Sequence, residues 1–143
     1  MATLTLTEDQ LRIVQRALDF YSRVGIGQFR EIKDHPTFYN HLHNEFKGED
    51  GKTDYTKYHE VRDMVDIMLV QPRNMLCNDP NLSQHGNWGI FHPNVDESCR
   101  VAYDIIQVIR HEFWKANPDR SENTVDSSVM LWTKDGGEVK CNL

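Results

Sequence analysis

The twenty residues from Asp96 to Lys115 constrain this chain more than any other stretch. Set at 100° per residue, Val101, Ala102, Ile105, Ile106, Val108, Ile109 and Phe113 cover a broad apolar arc. Arg100, Asp104, Gln107 and His111 gather on the opposite, polar side. An arc that wide has to be covered by other elements, so the segment predicts a central helix that starts at Asp96 and that Pro118 terminates. One residue breaks the pattern. Arg110 projects beside Cys99, Tyr103 and Ile106 at the edge of the apolar arc, where a guanidinium must find an anion. That anion is either a carboxylate of another helix, with Asp63 and Asp66 as candidates, or a phosphate or carboxylate of a ligand, which the planar fork of arginine suits.

Elements to cover that helix are legible elsewhere. Leu4 and Leu6 alternate with threonines, the period of a short strand. Thr7 with Gln10 three residues later forms a capping box, which predicts a first helix over Glu8 to Val24. That helix carries two adjacent apolar stripes, Leu11, Val14, Leu18 and Tyr21 beside Ile13, Ala17, Phe20 and Val24, and is expected to be covered on more than one side. It ends at Gly25-Ile26-Gly27, where a glycine can adopt the left-handed conformation. A short helical piece over Gln28 to Lys33 and a third helix over Thr37 to Phe46 follow, with a charged, glycine-rich loop at Lys47 to Thr53. Asp54 or Thr53 then caps a stronger helix through Val70, with Tyr58, Val61, Met64, Val65, Met68 and Leu69 on its apolar face and Pro72 as its stop.

Gln71 to Val95 is a long segment of low periodicity that holds His85, Trp88, Phe91 and His92. Ordered loops of such length are often functional, although Trp88 and Phe91 can equally pin the loop to a core. At the other end, Val129 to Trp132 reads as a strand, Asp135-Gly136-Gly137 as a turn, and Glu138 to Leu143 as a returning strand. An isolated hairpin is marginal, so this one needs the helices, the N-terminal strand or a second subunit as its partner. The expected fold is therefore α+β and predominantly helical, a single domain over 1–143 with about four helices, a C-terminal β-hairpin and a short N-terminal strand.

A chain of 143 residues can bury a core without metal or disulfide staples. Its formal net charge of -6 opposes sequence-independent binding to nucleic acid, which draws its energy from neutralising phosphates. It leaves room for a local cationic pocket for one small anion. No run approaches the roughly 20 apolar residues that span a bilayer, and the N-terminus lacks the pattern of a signal peptide, so no membrane partner and a cytoplasmic location are expected. Cys77, Cys99 and Cys141 have no metal-binding spacing and read as reduced thiols. Phosphate loops, dinucleotide fingerprints, nucleophile elbows and HExxH pairs are all missing from the sequence. Seven histidines are the one surplus. His35, His41, His43 and His59, with the carboxylates of Glu60, Asp63 and Asp66, make a metal-dependent hydrolase conceivable, but no diagnostic ligand spacing supports it. No cofactor is expected.

Three segments carry a resemblance: Tyr21 to Phe29 (YSRVGIGQF), Val101 to His111 (VAYDIIQVIRH) and Thr124 to Ser128 (TVDSS). They resemble small bacteriophage-encoded proteins that carry no assigned activity. The resemblance implies a phage product acting in the cytoplasm of an infected bacterium, and small phage proteins of this kind include oligomeric sponges that sequester nucleotide immune signals. A sponge pocket needs a cation for phosphate and an aromatic for the base. Arg110, His111, Trp114 and Arg120, with Trp88 and His85 of the long segment, are the residues expected to supply them. The expectation is thus a non-catalytic homo-oligomer that binds a small nucleotide-like anion. The alternative is an acidic protein that inhibits a host protein.

Overall fold

The computed structural model describes residues 4–120, 125–126 and 140–141. Among these residues there are five helices: α1 (Glu8–Gly25), α2 (Glu31–Asp34), α3 (Pro36–Glu45), α4 (Tyr55–Leu76) and α5 (Glu97–Ala116). None of them is long and apolar enough to cross a membrane. The chain packs as two compact units. Met1–Gly25 and Gly89–Leu143 make one, and Ile26–Trp88, between them in sequence, makes the other.

The first unit is built on α1 and α5. The capping box forms as the sequence predicts: the Thr7 amide donates to Gln10 Oε1 at 2.9 Å and the Gln10 amide to Thr7 Oγ1 at 3.3 Å. Asp96 caps α5 by accepting from the Ser98 amide at 2.9 Å. The core of the unit is Val95, Cys99, Ala102, Ile106, Val108, Ile109 and Phe113, all buried. Full burial of each large aliphatic side chain contributes roughly 1.5–3 kcal/mol. Polar contacts fix the register of the helix pair. Ser22 Oγ donates to the Cys99 carbonyl at 3.2 Å, and the Tyr21 and Ser98 hydroxyls meet at 2.7 Å. At that crossing α1 presents Gly25 to Cys99, so the backbones approach where a side chain would stand.

Several expectations fail in this unit. Leu4 to Thr7 form no strand, and Leu4 is exposed, because no described segment offers the ladder that a strand requires. The second stripe of α1 is not covered along its length, since Ile13 and Ala17 are exposed. Asp104, expected on a solvated face, is only 1% exposed. It is engaged by neighbours, and α5 is enclosed over more of its circumference than its apolar arc indicates. The expected hairpin lies almost wholly outside the described residues.

In the second unit α4 runs on through Pro72 to Leu76, rather than stopping at Val70. Proline forfeits the bond to the carbonyl four residues back, here that of Met68. Met68 and Pro72 are both exposed, so water can take up that carbonyl. One turn later the helix carries Arg73, 4% exposed, whose guanidinium organises the segment that follows. Its Nη1 donates to the carbonyls of Gln84 (2.8 Å) and Gly86 (3.1 Å), and its Nη2 to those of Leu82 (3.0 Å) and Ser83 (2.6 Å). Asn74 Oδ1 accepts from Nε and Nη2 at 3.0 and 2.7 Å. Among the described residues no carboxylate pairs with Arg73; carbonyl dipoles carry its charge. Gly27, with φ of +86°, lies against Cys77 and the Arg73 stem. It is the glycine of the Gly25-Ile26-Gly27 break that takes the left-handed conformation. Chain entry and exit of the unit are tied where the Trp88 amide donates to the Ile26 carbonyl at 2.9 Å.

Candidate functional site

The six residues expected to bind a ligand divide between the units. In the first, Arg110 Nη2 pairs with Asp19 Oδ1 at 3.0 Å, so its anion is a carboxylate of α1 and neither Asp63 nor Asp66. Helix periodicity placed the guanidinium correctly at the edge of the arc, but the choice of partner depends on which helix packs there. His111 stacks on Trp114, with ring centroids 5.8 Å apart and planes 15° apart, and its Nδ1 lies 3.0 Å from the Val125 carbonyl. The structure therefore brings His111 and Trp114 together, and engages Arg110 and His111 internally. Arg120 is exposed beyond the end of α5 and is engaged in contacts of its own. In the second unit His85 is exposed, with Nδ1 3.3 Å from Arg30 Nη1, and Trp88 is half-buried. Phe91 is 52% exposed rather than tucked into a core. Arginines anchor the long segment instead: Arg73 holds Leu82 to Gly86, and in the first unit Arg100 donates to the carbonyls of Ile90 (3.2 Å) and His92 (2.9 Å).

Within the second unit, α3 and α4 assemble a different group of side chains. Tyr39 and His43 sit one turn apart on α3, and Tyr55, Tyr58 and His59 occupy the first turn and a half of α4. Their rings interlock. Tyr58 meets Tyr39 at 5.8 Å, His43 at 6.4 Å, Tyr55 at 6.3 Å and His59 at 5.3 Å, all edge to face. Tyr39 and His43 stack at 6.1 Å, and His43 meets Tyr55 at 6.1 Å. Such pairs prefer edge-to-face or offset geometry because of the ring quadrupole. Tyr58 is the hub, 2% exposed, while Tyr39 and Tyr55 keep large exposed surfaces. Its buried hydroxyl makes no hydrogen bond among the described residues. Burial pushes the Tyr58 phenol above its ordinary pKa, and Tyr39 and Tyr55 add to the rise. Arg62 lies 5.3 Å from the Tyr58 ring centroid and pairs with Asp34, which ties α2 to this face of α4.

The cluster borders an open concavity of about 430 Å³ in the turn between α3 and α4. A single antiparallel bridge between Lys47 and Thr53 closes that turn. Thr53 belongs to both places: it lines the concavity, and its hydroxyl is 3.0 Å from His43 Nε2. Lys47, Lys52 and Lys57 line it opposite Glu45, Asp50 and Asp54. Asp50 and Asp54 lie 4.0 and 3.7 Å from Lys52 and Lys57, whereas Lys47 makes no ion pair among the described residues. Chemically the arrangement offers ring faces for stacking, ammonium groups for an anion and carboxylates for N–H or O–H donors. Sequence reading passed over it because α3 has no clean period. The signal was the spacing Tyr39-x3-His43 and Tyr55-x2-Tyr58-His59, which aligns rings on facing helices.

Among the described residues no three His, Cys, Asp or Glu side chains converge as metal ligands would. His35 accepts from the Thr37 amide at the start of α3, and His43 is held by Thr53. No family model, curated protein or solved structure matches this chain.

Proposed function

We propose that this chain is a non-catalytic binding protein for a small nucleotide-like anion, held at the α3–α4 aromatic cluster and its lysine-bearing concavity. The observation that carries the reading is the exposed ring surface of Tyr39 and Tyr55 supported by the buried hub Tyr58, in a cluster joined to the lysine-lined concavity by the His43–Thr53 contact at 3.0 Å. Stacking on such surfaces contributes about 1–3 kcal/mol per base and tolerates any base, because every base has a π-face. The lysines take the phosphate as point charges, and Asp50 or Asp54 accepts from ring N–H or sugar hydroxyl groups. The lining lysines and carboxylates balance, so the affinity is set by contact geometry rather than by long-range attraction. Sequestration in an infected cell is the role this reading gives it.

The test is equilibrium dialysis of the protein against AMP, a cyclic dinucleotide and cyclic ADP-ribose, with recovery of each ligand afterwards. One ligand binds and is recovered unchanged. Tyr55→Ala weakens it about tenfold or more, the loss of one stacked face. Lys47→Ala weakens it less, and Arg110→Ala leaves it intact while lowering stability. Native mass spectrometry of the loaded protein reports the subunit count at the same time. Failure of all three to bind at millimolar concentration, or a retained affinity in Tyr55→Ala, sinks the reading.

A further inference from the structure

Helix α4 is apolar on two faces. Tyr58, Val65, Leu69 and Arg73 point into the second unit, and the opposite face carries Met64, Ile67, Met68, Gln71 and Met75 at i, i+3, i+4, i+7 and i+11. Met64, Ile67, Met68, Met75 and the adjoining Leu76 are between 54% and 80% exposed. A contiguous exposed run of large apolar side chains marks an interaction surface rather than ordinary surface scatter. This run spans about 18 Å of helix, the length of three to four turns of a partner. From Glu60 to Leu76 its only exposed charges are Glu60 and Asp63, both acidic; Lys57, one turn before Glu60, is exposed but paired with Asp54 at 3.7 Å. Three methionines supply a polarizable surface that adapts to different apolar anchors.

From this charge pattern we propose that the outward face of α4 docks an amphipathic helix of a partner protein with an apolar stripe flanked by Lys or Arg. The apolar anchors of the partner lie along Met64, Ile67, Met68 and Met75, and its basic flank meets Glu60 and Asp63. A second copy of this chain fits less well. Pairing α4 with its own copy in either direction sets those acids against apolar side chains or against other acids, and the one exposed cation of the helix, Lys57, is already paired with Asp54. This inference is independent of the nucleotide-like ligand, which occupies other residues.

The test uses two labelled 18-residue helical peptides with the same leucine stripe, one flanked by lysines and one by glutamates, titrated with the full chain in fluorescence anisotropy. The basic peptide is expected to bind at least tenfold more tightly than the acidic one. Met68→Glu is expected to lower its affinity tenfold or more, and Glu60→Lys with Asp63→Lys to reverse the preference. Both sites are exposed, and circular dichroism confirms that the variants keep their helices; Ile67→Ser is the second apolar probe. Equal binding of the two peptides, or binding unchanged by both Met68→Glu and Ile67→Ser, overturns the proposal. So does a concentration-dependent dimer in sedimentation that Met68→Glu dissociates, which would assign the face to a second copy.

Discussion

Gly25→Ala measures the closeness of α1 and α5 directly. A Cβ built on Gly25 stands 2.1 Å from Cys99 Sγ and 3.2 Å from Cys99 Cβ. Carbon and sulfur cannot share that space, so either the Cys99 side chain rotates or the helices part. Rotation is restricted, because Cys99 is buried on a helix, where one of the three χ1 wells clashes with the preceding turn. Overpacking of this kind costs about 1–3 kcal/mol. Against it stands a gain of roughly 0.5–1 kcal/mol from replacing glycine by alanine in a helix, since Gly25 has none of the positive φ that would forbid a Cβ. The expected net loss is about 1–2 kcal/mol, a fall in Tm of roughly 3–8 °C for a chain of this size. Cys99→Ala alone loses a buried sulfur and costs about 1 kcal/mol. In the double variant the alanine methyl occupies the space the sulfur leaves, so the helical gain is recovered. Urea denaturation of the four proteins gives the coupling, expected to be at least 1 kcal/mol in favour of the double variant. Additivity to within about 0.5 kcal/mol would refute the close approach, because distant sites add to that precision.

Three further outcomes follow from other parts of the molecule. Arg73→Lys cannot reproduce a fork that reaches four carbonyls, and each buried acceptor left unmade costs about 1–3 kcal/mol; urea denaturation is expected to register about 3 kcal/mol, with new protease cleavage near Gln84. The Asp96 carboxyl is held below its ordinary pKa by the Ser98 hydroxyl first and the Ser98 amide second. A depressed folded pKa means the cap stabilises above the unfolded value and the contribution is lost as pH falls through the folded one. Thermal melts between pH 6 and pH 2.5 are therefore expected to fall less steeply for Asp96→Asn, which still caps but does not titrate there. Burial is the leading cause that raises the thiols of Cys77, Cys99 and Cys141. At pH 7.5 all three are expected to alkylate with iodoacetamide more slowly than free cysteine and to react at the free rate in urea.

The local signals in the sequence carried most of the helices. The Thr7–Gln10 box, the Asp54 and Asp96 caps and the apolar arc of Val101 to Phe113 are interactions within a turn or two, so the order of residues suffices to specify them. What needed the tertiary structure was every choice between partners distant in sequence. Arg110 had to be neutralised, but only the packing of α1 on α5 selected Asp19 over Asp63 and Asp66. Arg73 gave no signal, because its partners are backbone carbonyls, which every residue carries and no composition reveals. Pro72 read as a helix stop because the rule assumes an isolated helix, whereas packing before it and the Arg73 anchor after it hold α4 continuous. Met64 and Met68 read as part of one apolar face with Tyr58 and Leu69, because periodicity reports that a face is apolar without saying what covers it; both are exposed. The aromatic cluster escaped for the complementary reason: its rings come from two helices, and only folding sets Tyr39 and His43 against Tyr55, Tyr58 and His59. Sequence determines which faces and caps exist; the meeting of those faces, a property of long-range packing, decided which partners the arginines take and which rings share the α3–α4 cluster.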